Sequence, residues 1–438
     1  MKIAIAGYGV EGEENYAYWS ASGENDITIV DERDVPSHPV PEGAKTLLGQ
    51  GVFEQLDGFD LVVRTAGLSP YKIHTDGTVW SATNEFFEKC PAPIIGVTGS
   101  KGKGTTASLI ASILKAAGKT VWLVGNIGVP ALSVLSKVEP DDIVVYELSS
   151  FQLWDIQRSP HVAVVLMIEQ EHLDVHRDMA DYVDAKAHIT RFQTPDDLLV
   201  YNAGNKYSVH IAEQSAAQKN GFPNNKSAHV QDGNFYYGAV RLCSTGTLQL
   251  KGSHNLDNAM AAIDAVWPYV QDATVIEQGL HTFTGLPHRL AYVATVNGVE
   301  YYDDSIATTP TSAIASLRAF PNRSKVIILG GSYKGSDFTP LAEEMQHHDV
   351  QALLVGDEAS SIAAAFDAVG FSNYQYISAD DTHTTAEAFT QKASQIAKDG
   401  GVVLLSPAAA SFGLFKNYAD RGEQFIAAVQ ALAAEPKV

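Results

Sequence analysis

Gly96-Val97-Thr98-Gly99-Ser100-Lys101-Gly102-Lys103-Gly104-Thr105-Thr106 is the stretch whose reading decides the fold. It follows the apolar run Pro93-Ile94-Ile95 and leads into residues 107–117, where Leu109, Ile110, Ile113 and Leu114 recur at helical spacing. Strand, glycine-rich loop and helix in that order gather several backbone N–H groups and a helix N-terminus around one point. Such a point attracts phosphate, because those donors have no partner within the helix and its dipole favours an anion there. Lys103 adds a positive charge for the outer phosphates, and a hydroxyl from Thr105 or Thr106 suits Mg²⁺. The usual pattern puts Ser or Thr directly after the lysine; here Gly104 intervenes, which favours Thr105. A glycine-rich turn of any α/β domain is the bland alternative. The Gly-Lys-Gly-Thr-Thr ending and the flanking elements favour an ATP site, with Gly99, Gly102, Lys103, Gly104, Thr105 and Thr106 around the phosphates.

Length and composition bound the rest. At 438 residues the chain exceeds one compact core, and about three domains is the natural expectation. Hydrophobic residues at 45% and charged ones at 18% describe an ordinary globular protein. The net charge of −21, from 51 acidic against 30 basic residues, repels nucleic acid and anionic lipid, so neither is an expected partner. Cys90 and Cys243 are too few for a disulfide framework or a thiolate metal site. Residues 1–7 look like a strand rather than a secretory segment, and no apolar run reaches membrane-spanning length, so a cytoplasmic protein is expected.

Three βα blocks follow one another. The first opens with Lys2-Ile3-Ala4-Ile5-Ala6, the turn Gly7-Tyr8-Gly9-Val10-Glu11-Gly12, a helix, and a strand from Asp26 to Val30 ending at Asp31. This suits a dinucleotide or a nucleotide-sugar. Glu11, Glu13 and Glu14 crowd negative charge where a pyrophosphate would sit, and Arg33 is placed to pair bidentately with a phosphate. A UDP-type ligand is therefore favoured over NAD. Cys90-Pro91-Ala92-Pro93 reads as a linker.

The second block carries the chemistry. Strand-like runs at Val121–Val124, Asp142–Tyr146 and Val162–Met167 end in Gly125-Asn126-Ile127-Gly128, in Glu147-Leu148-Ser149-Ser150-Phe151-Gln152, and in Glu169-Gln170-Glu171-His172-Leu173-Asp174. A carboxylate at the end of a strand beside a phosphate loop is where a nucleotidase holds its metal. His172, alone a surface histidine, gains a metal-ligand reading from the acidic cluster around it. Lys186 looks at first like a solvated helix-face lysine. Residues 201–246 read as short strands and loops. Asn255 and Asn258, one turn apart at the start of an alanine-rich helix, suit an adenine edge, whereas Ser253 or Asn255 as a cap is the structural alternative. The third block reads as another parallel α/β unit, with strands at Val299–Tyr302, Lys325–Leu329, Ala352–Val355 and Val402–Leu405.

Gly96–Thr106, Gly125–Gly128, Glu147–Leu153, His254–Asn258, Gly285–Arg289, Asp304–Thr308, Gly330–Lys334 and Ser406–Asn417, in this order and spacing, resemble the Mur ligase family, which builds the peptide of bacterial cell-wall precursors. Glu-Leu-Ser-Ser-Phe-Gln-Leu, Gly-Leu-Pro-His-Arg and Ser-Pro-Ala-Ala-Ala-Ser resemble its glutamate-adding branch. The resemblance implies an α/β protein of three domains: a Rossmann-like, UDP-substrate-binding domain (1–91), a central ATP-binding domain with a mostly parallel sheet (92–286), and a Rossmann-like, amino-acid-binding domain (287–438).

It also implies roles. Gly7, Gly9, Val10, Glu11, Gly12, Asp31, Arg33 and Asn126 would contact UDP-N-acetylmuramoyl-L-alanine. Asn255, Asn258, Arg289 and Asp304 would join the phosphate loop around ATP. Lys103, Glu147, His172 and Lys186 would carry the catalysis. Thr105, Glu147 and His172 would serve two Mg²⁺ sites together with Lys186 as N6-carboxylysine. Thr308, Lys334, Ser411, Phe412 and Tyr418 would hold the incoming glutamate, expected to be D-glutamate. A monomer acting on small-molecule substrates is expected. ATP would convert a carboxylate, a poor acyl donor, to an acyl phosphate that the glutamate amine attacks, with metal and Lys103 offsetting the charge repulsion. Three places depart from the family. Met167-Ile168-Glu169-Gln170-Glu171-His172 stands where it has Asn-x-x-x-Asp-His, so only the histidine is retained. Ile306 stands where it has lysine in Asp-Ser-Lys-Ala-Thr, and Gly104 makes the loop resemble that of folylpolyglutamate ligases. L-glutamate, another acyl acceptor or a non-catalytic binding role are the readings that these departures leave open.

Overall fold

Alternate residues of the strand Ile94–Thr98 face opposite sides: Ile95 and Val97 enter one apolar cluster and Ile94 the other. A strand buried on both faces belongs inside a parallel sheet covered by helices, and that is its place in the computed structural model. The structure describes residues 1–438 except Asp174, Lys251, Lys334, 378–384 and 435–438. The chain divides into two compact units, Met1–Phe283 and Thr284–Val438.

The first unit holds two parallel sheets. One is ordered Lys45–Leu48, Asp26–Asp31, Lys2–Ala6, Leu61–Arg64, Thr78–Ser81. The other is ordered Gln218–Phe222, Leu198–Asn202, Val162–Val165, Ile94–Thr98, Ile143–Glu147, Val121–Gly125. The phosphate-loop strand is thus interior, and the carboxyl ends of its neighbours converge beside it. The helix Lys103–Ala116 buries Leu109, Ile110, Ile113 and Leu114 against one face of this sheet, as the apolar spacing predicts. Phe86, Phe87, Leu153 and Ile189 cover the other face.

Two expectations are corrected. Residues 201–246, read as short strands and loops, contain the helix Lys206–Gln214 and an antiparallel meander of Ala228–Gln231, Asn234–Tyr237 and Val240–Ser244. Asp232 (φ 47°) and Gly233 (φ 71°) make its first turn, the two-residue hairpin that a left-handed pair permits. In the second unit the sheet runs Ala291–Val296, Val299–Asp303, Val402–Leu405, Lys325–Gly330, Val350–Val355, Tyr374–Tyr376. Its first pair is antiparallel and the rest parallel. Asn297 (φ 51°) and Gly298 (φ 78°) turn that pair back on itself, so this sheet is mixed rather than wholly parallel.

The helix Ala273–Thr282 crosses the phosphate-loop helix at Gly279, where a Cβ would come within 2.4 Å of the Ile113 Cα. Backbone cannot yield as a flexible side chain does, so Gly279→Ala must push the two helices apart. The expected loss is about 1–3 kcal/mol, read as a lower denaturant midpoint; an unchanged midpoint would show that the crossing tolerates a methyl group.

Candidate active site

Gly102 caps the phosphate-loop helix with φ 85°, and a Cβ there would meet Asn258 Oδ1 at 2.3 Å. Both the left-handed backbone and the close approach require glycine. Asn258 is the other half of the contact. Its Oδ1 accepts from Thr106 Oγ1 at 3.3 Å, while its Nδ2 donates to Asn255 Oδ1 at 3.0 Å. The helix His254–Val266 therefore clamps the phosphate loop through its first turn. Ser253, its N-cap residue, makes no side-chain cap bond. Thr105 lies outside the clamp and is nearly buried.

Two lysines converge on the loop. Lys103 Nζ donates to Gly99 O at 3.1 Å and to Ser100 O at 2.8 Å. Lys186, on the helix Met179–Arg191, donates to the same Gly99 O at 2.8 Å and is 1% exposed. It is thus no solvated surface lysine. Burial first, and then the Lys103 charge, hold the Lys186 pKa well below the usual lysine value, against the opposing pull of Glu171 and Glu147. Glu147 ends its strand nearly buried, in register with Val97 of the phosphate-loop strand and Gly125 of the next.

His172 takes a left-handed backbone (φ 57°), with its ring 4.9 Å from that of Phe151 and 6.4 Å from that of Tyr182. Lys186 Nζ lies 4.6 Å from the centre of the same Tyr182 ring. Tyr182 thus joins the two residues in one neighbourhood. Glu169 pairs with Lys101, and Asp174 lies outside the described residues. Among the described residues no three His, Cys, Asp or Glu side chains form a metal-binding group. The donors present at the loop are instead a hydroxyl, a carboxylate, an imidazole and a lysine.

The glycine turn Gly7–Gly12 lines a cleft of about 850 Å³ together with Asp31, Arg33 and the segment around Tyr71. Arg33, expected to be available to a phosphate, is instead closed on Asp31: Nε reaches Oδ1 and Nη2 reaches Oδ2, both at 2.8 Å. Opposite charges two residues apart at a strand end find each other first. Burial raises the Asp31 pKa, but hydrogen bonds from the Arg33 side chain and from the Arg33 and Tyr8 backbone N–H groups outweigh it and leave it lowered. Glu11 accepts from Ala66 N at 2.8 Å, and burial pushes it up to about 6. That relieves part of the acidic crowding at this helix start. Asn126 does not line the cleft; it is exposed beside the strand end that carries Glu147.

In the second unit Asp304 is turned inward. It accepts from Ser316, from Ser406 Oγ at 2.8 Å and from Leu290 N at 3.0 Å, and burial pushes it up to about 6. Arg289 is exposed, with its charge favouring the Asp304 carboxylate. Thr308 is half-buried and Ser411 buried, whereas Phe412 and Tyr418 are exposed. Lys334 lies outside the described residues.

Sequence reasoning missed two residues. Arg421, 2% exposed, donates from Nε to Ser305 Oγ (2.9 Å), from Nη2 to Ser305 O (2.8 Å) and from Nη1 to Ala409 O (3.2 Å). One guanidinium thereby ties the Asp304–Thr308 loop to the Ser406–Ser411 loop. His176 is buried between Asp181 (Nδ1–Oδ2 2.9 Å) and Ser150 (Nε2–Oγ 2.9 Å). No local pattern marks either residue, because each acts on groups distant in sequence.

The Mur ligase middle domain matches residues 97–266, and the Mur ligase glutamate ligase domain matches residues 288–409. The UDP-N-acetylmuramoylalanine–D-glutamate ligase of Acetivibrio thermocellus is 36% identical, over 99% of this chain and 97% of its own. The enzyme of the same name from Clostridium tetani is 34% identical, over 98% and 97%. The chain belongs to the Mur ligase family. A solved Mur ligase, MurF of Thermotoga maritima in complex with ADP, shares the fold, with a TM-score of 0.58 at 18% identity over 98% of this chain and 94% of that one.

Arg421 gives this Mur ligase a test of its site architecture. Arg421→Met leaves the Ser305 and Ala409 carbonyls without their donor and removes a positive charge near Asp303. The expected cost is about 2–4 kcal/mol, measured by denaturant unfolding, with Arg421→Lys recovering part of it. No change in stability would mean that other contacts hold the two loops.

Proposed function

We propose that this Mur ligase joins glutamate, with D-glutamate as the expected substrate, to UDP-N-acetylmuramoyl-L-alanine at the expense of ATP, in cytoplasmic peptidoglycan precursor synthesis. The observation that carries the reading is the near-full-length match to D-glutamate ligases. The working division is a UDP-substrate domain at 1–91, an ATP domain at 92–286 and an amino-acid domain at 287–438, acting as a monomer. No helix among the described residues is long and apolar enough to cross a membrane.

The residues present fit the groups that the reaction needs. For ATP, the loop offers N–H donors shaped by glycines whose Cβ atoms would collide, with Lys103 at the helix start. For Mg²⁺, Thr105 and Glu147 offer hard oxygens at the first site. His172 and Lys186, both beside Tyr182, serve the second. The depressed Lys186 pKa favours the uncharged amine. That form can add CO₂, forming an N–C bond and releasing one proton, to give N6-carboxylysine and turn a cation into an anion.

ATP supplies the phosphoryl group that makes the alanyl carboxylate an acyl donor, and Mg²⁺ offsets the charge gathered there. Lys103 holds outer-phosphate charge at the loop. Asn255 and Asn258 keep that loop in its binding shape, and Arg289 and Asp304 are assigned to nucleotide binding. The glycine turn, Asp31 and Asn126 hold the UDP substrate, while Arg33 acts through Asp31. Thr308, Lys334, Ser411, Phe412 and Tyr418 form the amino-acid pocket, where the Lys334 charge suits a side-chain carboxylate. Ile306, half-buried with its N–H bonded to His288 O at 3.1 Å, favours a second reading. Without the family's lysine, the pocket would take L-glutamate or another amine.

Phosphate release from ATP and Mg²⁺ with UDP-N-acetylmuramoyl-L-alanine is expected to depend on D-glutamate. Lys103→Ala and Glu147→Ala are expected to cut turnover by roughly 100-fold or more. Dependence on L-glutamate would establish the second reading, and no release with either isomer would sink glutamate as the substrate and leave another amine or a binding role. Removing dissolved CO₂ is expected to lower the rate and bicarbonate to restore it; a CO₂-independent rate would exclude the modified lysine.

A further inference from the structure

The cleft of the first unit has three basic side chains on its wall, and they are not equivalent. Arg33 is closed on Asp31 through two 2.8 Å hydrogen bonds, and Lys72 reaches Glu32 at 3.1 Å. Arg177 forms no ion pair among the described residues. Its guanidinium lies over an aromatic wall, with the central carbon 3.4 Å from the centre of the Tyr71 ring. A guanidinium stacked on its face keeps its edge N–H groups available, in the fork geometry that matches phosphate oxygens.

The stack is anchored from behind. Tyr71 donates its hydroxyl to Asp181 Oδ1, while Asp181 Oδ2 lies 2.9 Å from His176 Nδ1 and accepts from Arg177 N at 3.3 Å. Val175 and Arg177 are exposed on the cleft, whereas His176 between them is buried. Its other nitrogen is 2.9 Å from Ser150 Oγ, and its ring lies 4.2 Å from Trp154 and 5.4 Å from Phe151. His176 thus pins the backbone from which Arg177 projects, which lowers the entropy lost when Arg177 meets a ligand.

We propose that Arg177, stacked on Tyr71 and backed by His176, is the residue that recognises the diphosphate of the nucleotide-sugar substrate. The proposal rests on reading this cleft as the UDP site. A diphosphate brings negative charge into a cleft whose wall already carries Glu11, Asp31 and Glu32. With Arg33 and Lys72 held by two of those carboxylates, Arg177 is the group left to attract it. His176 and Asp181 are positioning residues in this arrangement, since they act through Arg177 and Tyr71.

The test compares UDP with uridine by titration calorimetry on the full chain, together with steady-state kinetics. Wild type is expected to bind UDP more tightly than uridine. Arg177→Ala is expected to weaken UDP roughly 10–100-fold, the range of a charge-assisted contact, and to leave uridine unchanged. The KM for UDP-N-acetylmuramoyl-L-alanine rises by a similar factor. The KM values for ATP and glutamate, and kcat, stay within about twofold. Arg177→Lys, which keeps the charge and loses the fork, falls between, and serves should the alanine variant fold poorly. Unchanged UDP affinity in Arg177→Ala overturns the proposal, and so does an equal loss for UDP and uridine, which would make Arg177 only part of the wall. A wild type that binds neither ligand removes the reading of the cleft itself, whatever Arg177 does.

Discussion

Two ammonium groups share one acceptor: Lys103 Nζ and Lys186 Nζ both donate to the carbonyl oxygen of Gly99. A carbonyl has two lone pairs, so the geometry is ordinary, but two like charges this close, one of them buried, are not. The strain is relieved by lowering the proton affinity of Lys186, the more deeply buried group. Much of the first unit follows from this meeting point. The phosphate-loop helix starts there, the Lys186 helix is tied to it across the sheet, and the strand ending in Glu147 lies in register beside it. Position and reactivity of Lys186 have one cause, since burial against the loop both fixes the amine and favours its uncharged form.

The second unit solves a related problem by another route. Its candidate residues stand on loops at strand ends, which have no ladder of their own to order them. Arg421 supplies the order from a helix outside those loops, with a guanidinium that reaches Ser305 and Ala409 at once. Ser305 Oγ passes the constraint on to Tyr418 O at 2.7 Å, and Ser332 N bonds Ala410 O at 2.9 Å. A planar fork reaches two carbonyls as a lysine could not. Asp304, satisfied by two serine hydroxyls and a backbone N–H, completes the scaffold from the strand side.

What could be read from the sequence was what is local. The strand, loop and helix at 94–116 announce themselves because apolar period, glycine spacing and the following hydroxyls agree. The glycine turn at Gly7 was legible for the same reason. Arg33 was not, because its pairing with Asp31 competes with a ligand and spacing alone does not reveal the winner. The hairpins at Asp232-Gly233 and Asn297-Gly298 carry a known turn signal. Around the first, however, Ala228-His229-Val230-Gln231 alternates for only two periods, and the adjacent Tyr236 and Tyr237 break the alternation in the next strand. The roles of Lys186, His176 and Arg421 depend on partners such as Gly99, Ser150 and Ser305, which are distant in sequence. For Lys186 the family resemblance supplied what periodicity could not, since a helix face looks the same whether water or a phosphate loop covers it.

An acidic chain that handles anions must concentrate its positive charge at a few places. With a net charge of −21, long-range attraction for nucleotides is the wrong sign, and each anionic group has to be met by a cation at contact distance. The structure treats its cations accordingly. Lys103 is folded onto loop carbonyls, Arg177 is laid on an aromatic ring, and Arg421 is enclosed by carbonyls. For Arg177 and Arg421 the holding contacts among the described residues are a ring face and carbonyl or hydroxyl oxygens, not a surface carboxylate. A carboxylate partner would cancel the charge that the site needs, whereas a carbonyl or a ring face fixes the side chain and leaves its charge intact. Arg33, which does pair with a carboxylate, shows the contrast: its charge is cancelled locally, and the cleft then depends on the basic group that is held by an aromatic face instead.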